Sequence, residues 1–573
     1  MSRSGVAGRA PLCALGLLAA MLVAVGAATP ALGVSIAQPS PPPLSVRLPQ
    51  QLLGCDPVGR SVPSSTRQIL SLVLPTAYVA SSKGTIQQAD SFLVQAEVQN
   101  LTPLVVDYQI KPAAHWADGK PISKKDFVAS WRDGSSGTGP AAAQYRMIAS
   151  ITSPKDPLDV VVRFKGPLNS WQALFSPLIP ATVSEQALRS CTTPSPTLDL
   201  AAGPYVILQA TAEQLTLVRN PTWWGTSSTF DPVTVTTSRI IDAQDFPPAG
   251  PFGYAQLNWL SAGSLSAVTS SPASSSKLDY SDRLVFLDFA TRRASTVPVV
   301  LRRGLASLIN RTSLVDAVVG NTDGAVSPAT SYLYSQGQPN YPSVAQIPKV
   351  LTTPTTTTLP PSTDAASTPE TTLAPPPIVS AGSAALLGRA GYHRSKGRWL
   401  DRSGHQLVVS LAVPTDDRWA ITAAKNVVNQ LSAAGASVKV VDASGSFETA
   451  KLLRSGQVQL GLVVRTTGPL TAQSASWFSL TPGPPASNVW SGFSTTGTNT
   501  LATTASQNMN SSTAALSYGQ LDRALWNEIP SLPLFTEPYL LAWSSDVVGV
   551  TSNPYPPGSL ASLPTWQVAE PGS

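Results

Sequence analysis

The chain has 573 residues, which is too long for a single hydrophobic core and predicts two to four domains. Charged residues make up 12% of the chain, about half the usual share for soluble proteins, and the net charge is +6. Because the lysines and arginines form no dense patch, the composition argues against nucleic-acid binding.

The N-terminus has the layout of a secretory signal peptide. Arg3 and Arg9 precede a long apolar run, and the small-residue segment Ala31–Gly33 follows it. We therefore predict a signal peptide over residues 1–33, with an uncleaved membrane anchor as the alternative. A Pro/Ser-rich stem over residues 34–49 is expected next. This layout predicts export to the cell envelope or the medium.

Cysteine usage agrees with export. Cys13 lies inside the apolar run, so Cys55 and Cys191 are the thiols left after cleavage. Since oxidation is favoured outside the cytoplasm, we predict that these two form a disulfide. Leu52–Gly54 before Cys55 superficially resembles a lipid-attachment box, but it lies well beyond the apolar segment and is interpreted as a chance match.

A strand, a turn and a helix are predicted between residues 105 and 131. Val105–Ile110 alternates in the period of a half-buried strand, and Asp118–Gly119 supplies a turn. Ser123 and Asp126 form a capping pair, with Phe127 on the buried face of the helix that follows. By itself this unit predicts a packed structural corner.

The second half of the chain predicts an α/β fold. A Thr/Pro-rich tract over residues 351–377 lacks the apolar content for a core and is interpreted as a disordered insertion within one domain. Beyond it, an amphipathic helix that ends at Gly435 precedes the nearly all-apolar strand Val458–Val464. Alternating helices and strands predict a mixed or parallel sheet covered on both faces.

The sequence offers no catalytic constellation, metal motif or cofactor motif. His115, His393 and His405 are isolated from one another, and each is interpreted as a surface or capping histidine. The acidic pairs Asp416–Asp417 and Asp242–Asp245 lie at a helix start and in a loop, where capping explains them. We therefore expect neither an enzyme nor a resident metal or cofactor.

Several motifs in order resemble one known family. HWADGKPISKKDFVASW, from His115 to Trp131, resembles the signature of family 5 extracellular solute-binding proteins, the oligopeptide and dipeptide receptors of ABC importers. Further matches are AAGPYVILQATAEQLTLVRNPTWWG, LLGRAGY, FETAKLLRSGQVQLGLV and SNVWSGFS. Together they span nearly the whole mature chain. The resemblance is closest to an actinobacterial cell-envelope branch, the LpqW-like lipoproteins, from which this chain departs in lacking a credible lipid-attachment cysteine.

The resemblance implies a two-lobe α/β fold of the periplasmic-binding-protein type II kind, with hinge strands between the lobes and an inserted subdomain. Lobe I would comprise residues 44–79, 201–283 and 537–573, the inserted subdomain residues 80–200, and lobe II residues 284–536. The 115–131 motif would then be structural and remote from the ligand.

The resemblance also implies the function of a monomeric receptor. It would capture a peptide or peptide-like solute by closure of a cleft between the lobes and deliver that solute to an ABC permease. The alternative is a non-transport envelope protein that uses the same fold in glycolipid or cell-wall assembly.

A ligand set follows from the resemblance. Peptide-binding members hold the ligand's α-amino group with an Asp after the strand equivalent to Val458–Val464, whereas Arg465 stands near that place here and no acidic residue follows closely. An arginine suits a carboxylate or phosphate, and the alternative is a surface or inter-lobe ion pair. Replacing Arg465 by Ala is then expected to abolish binding of an anionic ligand without unfolding the protein. Aromatic residues on loops could hold sugar rings or apolar groups. The predicted ligand residues are Asn258, Trp259, Arg465, Trp477, Trp490 and Phe493.

Overall fold

The computed structural model describes residues 40–50, 52, 54, 63–136, 141–184, 201–211, 213–238, 241, 246, 251–258, 266, 268–292, 296, 298–320, 326–336, 338, 340–342, 380–478, 492–556 and 558–570. The predicted signal peptide, the Cys55–Cys191 pairing, the 351–377 insertion, Trp259 and Trp490 lie outside these residues. No helix in the described part of the chain is long and apolar enough to span a membrane.

The described part of the chain contains twenty strands and eleven α-helices. The strands are β1 (Leu44–Pro49), β2 (Tyr78–Ala80), β3 (Ile86–Gln88), β4 (Leu93–Leu101), β5 (Leu104–Ile110), β6 (Ile148–Thr152), β7 (Asp159–Phe164), β8 (Tyr205–Ala210), β9 (Gln214–Arg219), β10 (Val233–Ser238), β11 (Gly253–Leu257), β12 (Ser274–Phe289), β13 (His393–Ser395), β14 (Arg398–Leu400), β15 (Val408–Pro414), β16 (Ser437–Ala443), β17 (Leu460–Thr466), β18 (Ser531–Ser544), β19 (Val547–Val548) and β20 (Gln567–Val568). The α-helices are α1 (Ser64–Val73), α2 (Lys124–Ser136), α3 (Ala142–Arg146), α4 (Val299–Ala306), α5 (Arg311–Val319), α6 (Ala381–Arg389), α7 (Arg418–Ala433), α8 (Ser446–Ser455), α9 (Thr471–Ala475), α10 (Thr496–Gln507) and α11 (Ser511–Glu528). Short 3-10 helices cover Trp171–Ala173 and Ser559–Thr565.

Ten strands form one mixed sheet in the order β16-β15-β17-β12-β18-β11-β1-β10-β9-β8. Its two central strands are the longest, with 16 residues in β12 and 14 in β18, and they pair antiparallel. β12 contacts β17 only through Arg283–Phe289, whereas β18 contacts β11 only through Leu540–Trp543. The two strands therefore connect one half of the sheet to the other.

The pairing of the two central strands is interrupted where they pass between the halves. Tyr280 lies opposite Pro538 and Leu284 opposite Thr536, so three residues of β12 face the single residue Glu537. Such a bulge bends a strand and leaves its extra residues outside the ladder. We call Ser281–Arg283 and Glu537 the crossover. The predicted lobe boundaries at 283/284 and 536/537 fall here.

The predicted 105–131 corner is confirmed and belongs to a second, four-stranded sheet in the order β4-β5-β7-β6. Gly119 adopts a φ of +79°, which suits the turn before α2. The Asp126 carboxylate accepts a hydrogen bond from the Ser123 amide at 2.8 Å, and Phe127 is fully buried. The corner therefore anchors a core of its own.

Three main hydrophobic cores result. The first core contains buried residues from the range 284–535, and the second, around the four-stranded sheet, contains buried residues from the range 70–202. The third includes buried residues of β1, β8–β10 and the end of β18. The predicted α/β order after residue 380 is confirmed, with α7 followed by Gly435 at a φ of +101° and with β15 parallel to both β16 and β17.

Candidate ligand-binding site at the strand crossover

Arg283 binds two carboxylates at the crossover. Its Nε lies 2.7 Å from Oε2 of Glu537, and its guanidinium also pairs with Asp417. Asp417 caps α7 by accepting the Ala420 amide at 2.9 Å, which confirms the predicted capping role. The Arg283 side chain is 26% exposed, so this ion-pair network reaches the surface of the crossover. Burial raises the pKa of the Glu537 carboxyl to about 8, opposed by Arg283.

Asp282, the neighbour of Arg283, is 7% exposed. Its main-chain carbonyl accepts two hydrogen bonds from Thr467, from the amide at 2.6 Å and from the hydroxyl at 2.9 Å. Its carboxylate accepts a hydrogen bond from the main-chain amide of Asp282 itself, and the charges of Arg67 of α1 and Arg283 act on it. Burial raises the pKa of this carboxyl to about 6, and the two arginines oppose that rise.

A polar segment after Tyr334 packs on the crossover from the side of the first core. The Gln336 amide donates to the Tyr280 hydroxyl at 2.9 Å, and Gln338 donates to the Gly468 carbonyl at 3.1 Å. The Ser335 hydroxyl is bonded to that of Thr467. These contacts position the loop after β17 against the crossover.

The other two cores contribute to the same place. A Cβ added to Gly84, in the turn between β2 and β3, would lie 3.4 Å from Gln338 and 3.4 Å from Tyr555. Burial raises the pKa of the Tyr555 hydroxyl, and the charge of Asp282 adds to that rise, so this phenol lies within the field of the carboxylate. We call the crossover, Gln338, Thr467, Gly84 and Tyr555 the junction, since segments that adjoin the three cores approach one another there.

A second contact joins the region of the second core to the first. The Asn169 side-chain amide donates to the carbonyls of Ala505 at 2.7 Å and Asn508 at 3.2 Å, at the end of α10. The Asn169 main-chain amide donates to the Ser506 carbonyl at 2.9 Å. Together with the junction, this contact holds the parts of the molecule against one another in the conformation described.

Arg465 lies away from the junction, inside the first core. It is 1% exposed and pairs with Asp288, which is fully buried. The guanidinium carbon lies 4.6 Å from the ring centroid of Phe286 and 4.8 Å from that of Phe478. Both partners of the ion pair fall within residues 284–536, so the pair is neither at the surface nor between the predicted lobes.

The other predicted ligand residues in the described part of the chain also make internal contacts. Asn258 accepts the Ile241 amide at 3.0 Å. Trp477 is buried and donates to the Thr466 carbonyl at 3.1 Å, and Phe493 belongs to the first core. Trp259 and Trp490 lie outside the described residues.

Sequence reasoning missed Asp282, Thr467, Gln338 and Tyr555 as site candidates. The available signal was positional, because the boundary expected at 283/284 directly follows the acidic and basic pair Asp282–Arg283. The partners of that pair could not be recognised, since Thr467 is 185 residues away along the chain. Among the described residues, no cluster of three or more His, Cys, Asp or Glu is placed to hold a metal ion.

The sequence pattern described as "Bacterial extracellular solute-binding proteins, family 5 Middle" matches residues 100–487, more than half of the chain. The chain belongs to family 5 of these solute-binding proteins. This membership confirms the family that the motifs predicted.

Two curated relatives in family 5 are mycobacterial. The chain is 31% identical over 178 residues to the oligopeptide-binding protein OppA of Mycobacterium tuberculosis, covering 29% of this chain and 30% of OppA. It is 27% identical over 207 residues to the "Probable monoacyl phosphatidylinositol tetramannoside-binding protein LpqW" of the same species, covering 33% of each chain. The chain thus matches about a third of the length of either relative.

Solved structures confirm the type II periplasmic-binding fold of the family. The periplasmic EDTA-binding protein EppA has a TM-score of 0.77 at 18% identity, covering 92% of this chain and 97% of EppA. The oligopeptide-binding protein AppA of Bacillus subtilis, solved with a nonapeptide, has a TM-score of 0.68 at 15% identity, covering 92% and 100%. At these identities the likeness establishes the fold alone, and the mixed α/β architecture agrees with it.

Proposed function

We propose that this protein is an exported receptor that captures a peptide or peptide-like solute and delivers it to an ABC permease. Membership of family 5 carries the proposal, since it is a family of extracellular solute-binding proteins. The relative OppA and the neighbour AppA are both described as oligopeptide-binding proteins, which favours a peptide as the solute.

The crossover supplies the mechanical part of this proposal. Only β12 and β18 pass between the two halves of the described large sheet, and their pairing is interrupted at Glu537. A break in the ladder between two packed halves is where a hinge can absorb changes in backbone angle. Solute that contacts both halves would favour the closed form by its differential affinity for that form.

Native mass spectrometry of the mature protein purified from its own host tests the proposal. We expect a bound peptide mixture, released on denaturation, with a mass excess over the apoprotein. A protein that is empty and shows no thermal shift with a mixture of di- to nonapeptides would contradict it. Co-purification with a permease from detergent-solubilised membranes tests the transport role separately.

A second candidate function is a non-transport role in glycolipid or cell-wall assembly. The likeness to LpqW favours it, because that relative is described as a "Probable monoacyl phosphatidylinositol tetramannoside-binding protein". Recovery of a mannosylated headgroup in place of peptides would establish this alternative. A thermal shift with phosphatidylinositol mannosides but not with peptides would support the same conclusion.

A further inference from the structure

A short segment beside the first core gathers exposed positive charge. Residues 389–405, which we call the basic hairpin, comprise the end of α6, the paired strands β13 and β14 and the turn that follows them. The segment contains five basic side chains and the single acid Asp401, a formal net charge of +4 in a chain whose net charge is +6. The composition predicts no dense basic patch, and this segment is the exception. All five basic residues are exposed: Arg389, Arg394, Lys396, Arg398 and Arg402.

The five cations have no acidic partner among the residues that the structure describes. Asp401 serves the turn instead, because it accepts the amides of Ser403 at 2.8 Å and His405 at 2.9 Å. These hydrogen bonds, that of His405 first, lower the pKa of the Asp401 carboxyl. The positive charge of the basic hairpin is therefore available to an anionic partner outside the protein.

The fold holds the basic hairpin in place. Trp399 is 2% exposed, and its amide donates to the Gly435 carbonyl, at the end of α7, at 3.1 Å. A Cβ added to Gly435 would lie 2.1 Å from the Gly397 carbonyl oxygen, so the tip of the hairpin lies directly against this helix end. Lys396 and Gly397 form the tip with φ values of +47° and +79°. Glycine or asparagine fits such a turn with less strain than lysine does, so the charge at the tip is kept at a conformational cost.

The side chains of the basic hairpin favour a lipid surface over a protein as the anionic partner. Protein interfaces owe most of their affinity to large apolar and aromatic side chains at their centre. In the basic hairpin Trp399 is buried and Tyr392 is half-buried, and none of the large apolar side chains exposed in the described structure belongs to this segment. An anionic membrane needs no such anchor, since it attracts clusters of about four to eight basic residues through charge.

We infer that the basic hairpin docks this protein on an anionic lipid surface, with its lysine and arginine side chains against the phosphates of the headgroups. The inference goes beyond the proposed solute capture and needs only the proposed export. It applies to either candidate function, because both place the protein at the cell envelope. Docking would concentrate the protein at the membrane, where the proposed permease lies.

The experiment measures co-sedimentation of the mature protein with vesicles. One set contains about equal parts of phosphatidylglycerol and phosphatidylcholine, the other phosphatidylcholine alone, at salt concentrations of about 20 and about 150 mM. The variant Lys396→Gln/Arg398→Gln/Arg402→Gln removes three charges of the basic hairpin and leaves Arg394 against Trp399.

The matched control is Lys124→Gln/Arg132→Gln/Arg163→Gln. It removes one lysine and two arginines as well, but from exposed positions on α2 and β7 around the second core. An effect of net charge would appear in both variants, whereas an effect of the basic hairpin would appear in the first alone. Thermal unfolding verifies that both variants are folded.

We expect the native protein to bind the anionic vesicles and not the neutral ones, and to bind more weakly at the higher salt concentration. The hairpin variant should bind about 100-fold more weakly, at roughly fivefold for each charge, and the control should lose less than about fivefold. Equal losses in the two variants, or no binding of the native protein to anionic vesicles at low salt, would overturn the inference. Retention on immobilised polyglutamate without vesicle binding would overturn it in favour of an acidic protein partner.

Discussion

Two arginine–carboxylate groups involve residues of β12 that are five positions apart, Arg283 and Asp288. They differ in exposure to solvent and in the number of ionic partners. At Asp288 the group contains one carboxylate and one guanidinium, both within the first core and enclosed by aromatic rings. At Arg283 one partly exposed guanidinium serves two carboxylates, with Asp282 beside it. The enclosed pair can stabilise a single conformation of the first core, whereas the Arg283 group is partly exposed and lies where the pairing of β12 and β18 is interrupted.

Burial raises the pKa of an acidic side chain in each of these two groups. Asp288 has Arg465 as a direct charge partner, and burial nevertheless raises the pKa of the Asp288 carboxyl against the opposing charge of Arg465. Burial raises the pKa of the Asp282 carboxyl to about 6, against the opposing charges of Arg67 and Arg283 and a hydrogen bond from its own main-chain amide. The two acids therefore differ in their contacts and not in the direction of their pKa shift.

The largest expected effect comes from breaking the enclosed pair. Arg465→Ala should lower the free energy of unfolding by about 3–5 kcal/mol, because it leaves Asp288 buried without its partner. Urea denaturation followed by circular dichroism measures this. The sequence alone predicted that the same change would leave the fold intact, so this measurement decides between the two.

The control for that experiment is the double variant Arg465→Met with Asp288→Leu. Removing both charges should recover most of the lost stability, since no unpaired ion remains. Unchanged stability in Arg465→Ala alone would show that the pair is not the tight buried contact described.

The next-largest expected effect is a dependence of the free energy of unfolding on pH, which comes from Asp282. Because burial raises the pKa of Asp282 from 3.8 to about 6, the folded state binds its proton more tightly than the unfolded state does. The free energy of unfolding therefore falls as pH rises between these two values, by up to about 3 kcal/mol from this group. Glu537, with a pKa raised to about 8, contributes in the same direction at higher pH.

Asp282→Asn isolates the contribution of Asp282. The variant and the native protein should be about equally stable near pH 4, and the variant should become the more stable of the two by pH 7. Chemical denaturation at four pH values tests this. A variant that is less stable than the native protein at pH 7 would mean that the ionised carboxylate has a stabilising partner within the protein.

How far the sequence predicts this molecule depends on the distance between partners along the chain. The 105–131 corner, the Asp417 cap and the Gly435 helix end were predictable because each is decided within about a dozen residues. The order of motifs extended this to the family and its fold. Turns and helix caps depend on residues that are close together in sequence, so local patterns are sufficient to predict them.

The candidate site was less predictable, because its contacts join remote segments. Arg465 and Asp288 are 177 residues apart, and Arg283 and Glu537 are 254 apart. Periodicity and spacing do not reveal which distant acid neutralises which arginine. The sequence alone therefore could not indicate that Arg465, at the end of a nearly all-apolar strand, pairs with Asp288 inside the first core.

A smaller effect should come from loosening the second contact between the cores. Asn169→Ala removes two side-chain hydrogen bonds to the end of α10, worth about 1–2 kcal/mol together. We expect hydrogen exchange at residues 166–172 to become roughly tenfold faster, with little change in exchange within β12. Asn426→Ala is the control, since the side-chain hydrogen bond that Asn426 makes among the described residues goes to the carbonyl of Thr422 on its own helix. Equal protection in both variants would mean that this contact does not hold the cores together.

The smallest expected effect concerns the exposed ion pair between Lys120 and Asp118. Lys120 Nζ lies 2.7 Å from Asp118 Oδ2, the same distance as Arg283 Nε from Glu537 Oε2, yet the lysine side chain is 70% exposed. Water and salt screen such a pair, so Asp118→Asn should leave the unfolding midpoint unchanged within error at physiological salt. The amide of Asn can still accept the Lys120 main-chain hydrogen bond that Asp118 accepts at 3.1 Å, so the turn itself should survive. A clear loss of stability would show that distance, and not enclosure, sets the value of a charge pair in this protein, and the contrast between Arg465 and Arg283 would then lose its physical basis.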